Sequence, residues 1–143
     1  MTIKQISVFL ENKPNSMAKF VEALSKNNID MRALSLAEAA DFGIVRVIVD
    51  DVYNAMQILK EEGYICSATK VLAVAIPDEP GGLAKVIQIL GKDGINVEYM
   101  YAFTTHQKDL AYMIFRVQDN EKAIQALTKN DIKLICQEEL VKL

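Results

Sequence analysis

The sequence predicts an α+β protein made of two consecutive βαββαβ units, each a ferredoxin-like sandwich with both helices on one face of an antiparallel four-stranded sheet. Three observations lead to this prediction. The chain repeats itself at a shift of 66 to 68 residues, apolar residues alternate in some segments, and they follow helical spacing in others. The length of 143 residues fits two very small domains. We place these domains at residues 1–70 and 71–143.

Identical residues at matched positions carry the internal repeat. A shift of 66 aligns six residues of the first copy with the same residue types in the second: Pro14, Ala18, Lys19, Leu24, Lys26 and Ile29. A shift of 68 then aligns five more: Val49, Asp51, Ala55, Gln57 and Leu59. Because no linker rich in Gly, Ser or Pro separates the copies, we expect them to pack together rigidly.

The periods of the apolar residues predict the first strand and the first helix of each unit. Alternation predicts the two strands, with these inward residues: Ile6, Val8 and Leu10, then Leu72, Val74 and Ile76. Spacing of i, i+3, i+4 and i+7 predicts the two helices, with these core residues: Met17, Phe20, Val21 and Leu24, then Leu83, Val86, Ile87 and Leu90. Asn28 and Gly94 hold the matched position after each helix, where a left-handed backbone ends it.

The remaining elements follow in the same order in both copies. Two strands are predicted at residues 31–36 and 43–49, and their equivalents at residues 97–104 and 110–117. Asp51 is predicted to cap the second helix of the first copy, and Asp119 opens its equivalent. Final strands are expected at residues 65–69 and 133–137. Strands 97–104 and 110–117 are apolar on both faces, so we predict that the units pair through sheet edges or faces and that the chain forms a homodimer.

The composition argues against several classes of function. The chain has 16 Lys and Arg against 19 Asp and Glu, and we expect no nucleic-acid partner because phosphate binding needs clustered positive charge. No run approaches ~18 apolar residues and the N-terminus lacks a signal peptide, so we expect a cytoplasmic protein without membrane contact. Cys66 and Cys136 each lie in an apolar stretch without a nearby Cys or His, which predicts reduced thiols, no metal site and no cofactor.

The segment Ile76-Pro77-Asp78-Glu79-Pro80-Gly81-Gly82-Leu83-Ala84 joins a predicted strand to a predicted helix. Gly81 and Gly82 let the backbone turn, and the first helical turn leaves N–H groups that suit a carboxylate. Asp78 or Glu79 could meet an ammonium group, and together these features match the two ends of a free amino acid. The alternative is a plain tight turn in which Gly81 caps the helix. Asn96 lies where the chain enters the next strand, and its side-chain amide could hydrogen-bond the same ligand or form a turn.

These residues resemble the ACT domain family. The resemblance is carried by a strand, the run D-E-P-G-G-L-A-K-V, a helix, and then G-I-N-V entering a strand, and it covers nearly the whole chain as two copies. ACT domains are regulatory modules that typically bind amino acids at interfaces between paired domains. The resemblance implies that the second copy contacts the ligand through these residues: Asp78, Glu79, Pro80, Gly81, Gly82, Leu83, Asn96 and Val97.

The first copy departs from the family pattern. Asn15 and Ser16 replace the paired glycines, and Asp30 replaces the Asn at the next strand. We expect Ser16 to cap the helix. The corresponding contacts implied in this copy are Asn12, Asn15, Ser16, Met17 and Asp30. Because loss of glycine restricts close backbone approach, we expect one better site or two unequal sites at the junction of the modules.

The resemblance implies a freestanding, non-catalytic sensor, in which a free amino acid binds at the interface between two ACT domains and regulates amino-acid metabolism through another polypeptide. A first alternative is a regulatory subunit of an amino-acid biosynthetic enzyme, acting by obligatory contact with that enzyme. A second is a structural interaction module with a vestigial ligand loop. An enzyme is expected only if His106 forms a site with Tyr101 or Asp109, since the chain has neither a G-x-S-x-G elbow nor a phosphate loop.

Overall fold

The computed structural model describes the backbone of residues 1–143 and the side chains of all of them except Ala39. The chain divides into two compact units. The first unit is Lys4–Thr69, and the second unit is Lys70–Leu143 together with Met1–Ile3. The division into domains 1–70 and 71–143 stays a prediction.

The first unit contains three antiparallel strands and two helices. The sheet has the order β2-β3-β1, and the backbone N–H of Phe9 in β1 donates to the carbonyl of Ile65 on the other side at 3.1 Å. Val8 pairs with Val45 between β1 and β3, and a register shift interrupts the pairing of β2 with β3 near Met31. The elements are β1 (Ile3–Glu11), α1 (Ser16–Lys26), β2 (Met31–Ala39), β3 (Phe42–Val49), α2 (Val52–Glu61) and the start of β4 (Cys66–Pro77).

The second unit has a four-stranded antiparallel sheet of order β7-β4-β6-β5. Its elements after β4 are α3 (Gly82–Lys92), β5 (Val97–Phe103), β6 (Leu110–Val117), α4 (Asn120–Lys129), β7 (Lys133–Ile135) and α5 (Gln137–Leu140). In this order the last strand of the unit lies beside the first, as in a ferredoxin-like βαββαβ sandwich. The predicted α+β fold class is confirmed.

Each unit has its own apolar core between the sheet and its two long helices. The first core includes Val8, Phe20, Leu24, Val47 and Leu59. The second has matched members: Val74, Val86, Leu90, Phe115 and Leu127. The cores thus follow the predicted periods of two and 3.6.

Two of the predicted core residues in α3 are wrong. Leu83 and Ile87 are each 37% exposed, whereas Val86 and Leu90 on the same helix are buried. The reason is angular. Val86 and Leu90 face the sheet directly, while Leu83 and Ile87 lie roughly 60° and 100° round the helix from Val86, on its solvent-facing flank.

The ends of the elements confirm most of the predicted caps. Asp51 and Asp119 accept hydrogen bonds at 3.0 Å from the backbone N–H groups of Asn54 and Lys122. Asn28 and Gly94 have left-handed backbones, with φ of 57° and 69°.

The predicted strand at residues 133–137 is wrong in its second half. β7 ends at Ile135, and α5 starts at Gln137. Cys136 is the N-cap of α5, because its backbone N–H donates to Oε2 of Glu139 at 3.1 Å and its side chain accepts from the helix in return. This hydrogen bond lowers the pKa of the Glu139 carboxyl.

The second face of the β4-β6-β5 sheet is buried as well as the helix-covered face. Ala73, Tyr101 and Ile114 on that face are each at most 9% exposed. The pairing of the units through this face, and the homodimer, stay predictions. Among the described residues, none of the helices combines the length and the apolar character that crossing a bilayer requires.

Candidate functional site

The loop between the first strand and the first helix has the same backbone hydrogen bonds in both units. The four bonds of the first loop, donor N–H first, are Asn12 to Asp41 (2.9 Å), Lys13 to Glu11 (3.0 Å), Ser16 to Lys13 (3.3 Å) and Lys19 to Asn15 (3.0 Å). Those of the second loop are Asp78 to Asp109 (3.0 Å), Glu79 to Pro77 (2.9 Å), Gly82 to Glu79 (3.1 Å) and Lys85 to Gly81 (3.1 Å). The repeat read from the sequence is therefore a repeat of loop geometry.

A left-handed residue precedes each of these helices. Asn15 has φ 70° before α1, and Gly81 has φ 89° before α3. Glycine adopts this conformation without a Cβ clash, and Asn is among the residues that tolerate it. The prediction that Ser16 caps α1 is wrong, because Asn15 takes the N-cap position and Ser16 is the first helical residue.

Gly82 is required by close approach rather than by its backbone angles. A Cβ at this position would lie 2.3 Å from the carbonyl oxygen of Pro77. Ser16 holds the matched position in the first loop and carries a Cβ, and its N–H bond to Lys13 is 3.3 Å, against 3.1 Å in the second loop. The second loop is thus the tighter of the two.

The helices that follow the loops keep open hydrogen-bond donors at their N-termini. Neither α1 nor α3 has a side-chain cap. Among the described residues, the N–H groups of Met17, Ala18, Leu83 and Ala84 have no acceptor. By contrast, an Asp carboxylate caps α2 in the first unit and α4 in the second, and it accepts from one N–H group of each helix. Open N–H groups at a helix N-terminus, where the helix dipole is positive, form a site for an anion.

A cleft of about 500 Å³ lies beside the first loop. One wall is polar and includes Glu11, Lys13 and Asn15. The Lys13 ammonium hydrogen-bonds the Glu11 carboxylate at 2.6 Å and holds the pKa of that carboxyl below its ordinary value. The complete lining is Leu10, Glu11, Asn12, Lys13, Asn15, Ser16, Met17, Leu36, Ala37, Glu38 and Gly43.

A cavity of about 420 Å³ lies beside the second loop. Lys85 and Lys133 contribute positive charges to its lining, and Glu79 and Asp131 contribute negative ones. The remaining lining residues are Ala75, Pro77, Pro80, Gly81, Gly82, Val86, Leu110 and Ile132. Charges of both signs beside a tight backbone turn suit a zwitterion.

The structure brings together part of each predicted set of site residues. Asn12, Asn15, Ser16 and Met17 share the first cleft. Asp30 is not among its lining residues, because it precedes the start of β2 whereas residues 36–38 of the cleft lie near the other end of that strand. Its carboxylate accepts from Nη1 of Arg32 at 3.0 Å.

In the second unit, Glu79, Pro80, Gly81 and Gly82 share the cavity. The residues predicted for the second site that do not line it are Asp78, Leu83, Asn96 and Val97.

The strand residues that line the first cleft were missed from the sequence. Leu36 and Gly43 lie on neighbouring strands, and their proximity depends on the register of β2 with β3. The one signal available was an isolated Gly within an apolar strand, which often marks close approach of another group.

The residues considered for an enzyme differ in their surroundings. His106 and Asp109 are exposed, whereas Tyr101 is buried. Among the described residues there is no group of three or more His, Cys, Asp or Glu placed to hold a metal ion.

The profile of the ACT domain pair family matches residues 1–143. The chain belongs to this family. The ACT fold also relates it to solved structures: a Bacteroides thetaiotaomicron protein is 38% identical, with a TM-score of 0.93 over 100% of this chain and 98% of that one. The regulatory subunit of aspartate kinase from Thermus thermophilus shares the fold at 19% identity, with a TM-score of 0.65 over 88% of this chain and 91% of that one.

Curated relatives of this ACT pair match it over part of their length. The acetolactate synthase small subunit of Mycolicibacterium smegmatis is 32% identical over 77 residues, which cover 50% of this chain and 45% of that protein. The acetolactate synthase small subunit of Mycobacterium avium is 33% identical over 75 residues, or 52% of this chain and 45% of that protein. The chain spans less than half the length of these relatives.

Proposed function

We propose that this ACT pair is a non-catalytic regulatory protein that binds a free amino acid at its loops and passes the effect of binding to a metabolic enzyme. The observation that carries the proposal is the contrast between its helices. An Asp carboxylate already occupies the N-termini of α2 and α4, whereas no side chain caps α1 or α3, the helices that follow the two repeated loops. A cleft or cavity lies beside each of these two uncapped helices.

The carboxylate of the ligand is assigned to these open donors. In the second unit the N–H groups of Leu83 and Ala84 are free to donate, and in the first unit those of Met17 and Ala18. A carboxylate at a helix N-terminus gains roughly 0.3–1 kcal/mol from the helix dipole, and about 2 kcal/mol where the site is partly buried. Hydrogen bonds from N–H groups to a charged acceptor add roughly 1.5–3 kcal/mol.

The ammonium group of the ligand is assigned to a carboxylate beside each loop. Glu11 lines the first cleft, and Lys13 keeps its carboxyl ionised to lower pH than usual. Glu79 and Asp131 line the second cavity. Each unit therefore offers partners for both charged groups of a zwitterion.

The enzyme partner is proposed from the relatives. The curated matches are named small subunits of acetolactate synthase, and a protein of the same fold is named a regulatory subunit of aspartate kinase. We infer a partner enzyme whose activity depends on whether the ligand is bound. We also infer that the protein works in the cytoplasm as an ACT homodimer. The location of the ligand where two ACT domains meet, as the family resemblance implies, stays a prediction.

Calorimetry of the full chain with each of the twenty amino acids tests the proposal. The best binder is then compared with its C-terminal amide and with its N-acetyl derivative. The amide should bind at least about 10-fold more weakly, because it lacks the charge that the open donors stabilise. The N-acetyl derivative should also bind more weakly, since it lacks the ammonium group. No heat and no thermal shift with any amino acid would contradict the proposal, as would an amide that binds like the free acid.

The alternative of an obligatory regulatory subunit makes a different prediction about the partner. Affinity capture of the tagged full chain from its own cell extract, in the presence and absence of the best ligand, separates the two. A freestanding sensor releases or recruits the enzyme according to the ligand. An obligatory subunit retains the enzyme in both conditions.

A further inference from the structure

Gly43 in β3 has no conformational reason to be glycine. It is absent from the residues with positive φ, so its backbone suits any residue. It pairs with Leu10 of β1 on one side and with Glu38 of β2 on the other, within the sheet of the first unit. Glycine inside a strand weakens the strand, and it often marks a place where another group approaches closely.

The group that approaches Gly43 is the tip of the Leu36 side chain. A Cβ at position 43 would lie 3.0 Å from Cδ1 of Leu36, and 3.5 Å from the carbonyl oxygen of Ala37. Leu36 is 53% exposed, and it lines the same cleft as Gly43. The missing Cβ therefore gives room to a large apolar side chain that would otherwise stand further into the cleft.

The second unit carries a different pair of residues at the matched positions. Ala111 pairs with Ile76 as Gly43 pairs with Leu10, and Ala102 pairs with Met113 as Leu36 pairs with Val45. The first unit thus has Gly and Leu at these two positions, whereas the second unit has Ala at both.

We propose that Gly43 and Leu36 together set the size of the ligand side chain that the first cleft admits. The polar wall of the cleft, with Glu11 and Asn15, takes the charged groups of the amino acid. Leu36 is one of the apolar residues that line the same cleft, so the ligand side chain contacts it in this proposal. Gly43 lets the Leu36 tip draw back, which opens the cleft to larger apolar side chains. This inference rests on the proposed function, because it assigns a determinant of specificity to the same ligand.

The test measures side-chain selectivity in the full chain and three variants. Calorimetry uses L-alanine, L-valine, L-leucine and L-phenylalanine. Gly43→Ala pushes Leu36 into the cleft, so the affinity for the larger members should fall about 10-fold relative to L-alanine. Leu36→Ala should instead raise the affinity for the larger amino acids relative to L-alanine. The double variant removes the Cδ1 atom that the new Cβ would meet, so it should resemble Leu36→Ala rather than the sum of the two.

A matched control and a second measurement accompany the series. Ala111→Gly makes the reverse change at the matched position of the second unit, where Ala102 stands in place of Leu36, and it should leave the order of affinities unchanged. Backbone amide spectra should show the largest ligand-induced shifts at Asn12, Ser16 and Gly43. Leu36 is largely exposed, so Leu36→Ala keeps the series informative if Gly43→Ala unfolds.

The outcomes separate this inference from the proposed function. An unchanged order of affinities in both single variants overturns the inference and leaves amino-acid binding intact. Ligand-induced shifts of backbone amides that are confined to the loop around Gly81 and Gly82 also overturn the inference and leave amino-acid binding intact. No binding of any amino acid by the unaltered chain overturns both.

Discussion

Replacement of Gly82 by Ala tests the tight second loop through its geometry. The new Cβ would lie 2.3 Å from the carbonyl oxygen of Pro77, and both groups belong to the backbone. The Pro77 carbonyl accepts from Glu79 at 2.9 Å, and the Gly82 N–H donates to the Glu79 carbonyl at 3.1 Å. The loop cannot relax without weakening at least one of these bonds.

The magnitude follows from the bonds that must move. Each hydrogen bond contributes roughly 0.5–1.5 kcal/mol net, so weakening one or both of them costs up to about 3 kcal/mol of unfolding free energy. The gain from replacing glycine in a helix is at most about 1 kcal/mol and is smaller at the first helical residue. Gly82→Ala should therefore destabilise the protein, and it should weaken amino-acid binding at the second loop.

Gly91→Ala provides the matched control in the same helix. No atom lies within 4 Å of a Cβ built at Gly91, and its φ is not positive. This change should stabilise the chain by about 0.4–1 kcal/mol and leave ligand affinity unaltered. Urea denaturation followed by circular dichroism, together with calorimetry, measures both effects. Equal urea midpoints for Gly82→Ala and the unaltered chain would refute the argument from close approach.

Three further predictions concern capping, charge and thiol reactivity. Asp51→Ala and Asp119→Ala should each lower the unfolding free energy by about 1 kcal/mol in urea denaturation, because each removes a helix N-cap, and wild-type midpoints would contradict this. The pKa of the Glu11 carboxyl is lowered in the folded chain by its hydrogen bond with Lys13. The ionised carboxylate therefore stabilises the fold above the pKa of the unfolded state, and this stabilisation is lost as the pH falls through the pKa of the folded state. Lys13→Gln should raise the pKa of Glu11 in a carboxyl NMR titration. Burial raises the pKa of the Cys66 thiol, so iodoacetamide should modify it more slowly at pH 8 than it modifies a cysteine in an unfolded peptide.

Local signals in the sequence were sufficient for most elements of the fold. The period of two at Ile6, Val8 and Leu10 reports a strand with one buried face, and that signal needs no knowledge of the partner strand. The caps at Asp51 and Asp119 were found for the same reason, since a carboxylate before an apolar helix acts on N–H groups three residues away.

Features that depend on cross-strand register or on an unusual cap could not be found in this way. Leu36 and Gly43 meet only because β2 and β3 pair in one register. Helix α5 was not predicted, and the last strand was extended over Cys136 and Gln137, because cysteine is not among the usual N-cap residues, although Cys136 fills that role with Glu139. Ser16 was read as a cap because its residue type is typical of one, whereas the left-handed backbone of Asn15 decides where α1 begins.

The duplication explains how the two loops can differ in sequence and still present the same donors. Main-chain groups make all four hydrogen bonds that shape each loop, so replacing Gly81 and Gly82 by Asn15 and Ser16 leaves that framework in place. Side chains of different types form the walls around it. The carboxylate, which all amino acids share, is therefore bound by the backbone N–H groups that both loops present. The side chain, which varies among amino acids, contacts lining residues that differ between the two units. On this reasoning the two copies should share their requirement for a carboxylate and differ in the side chain they accept.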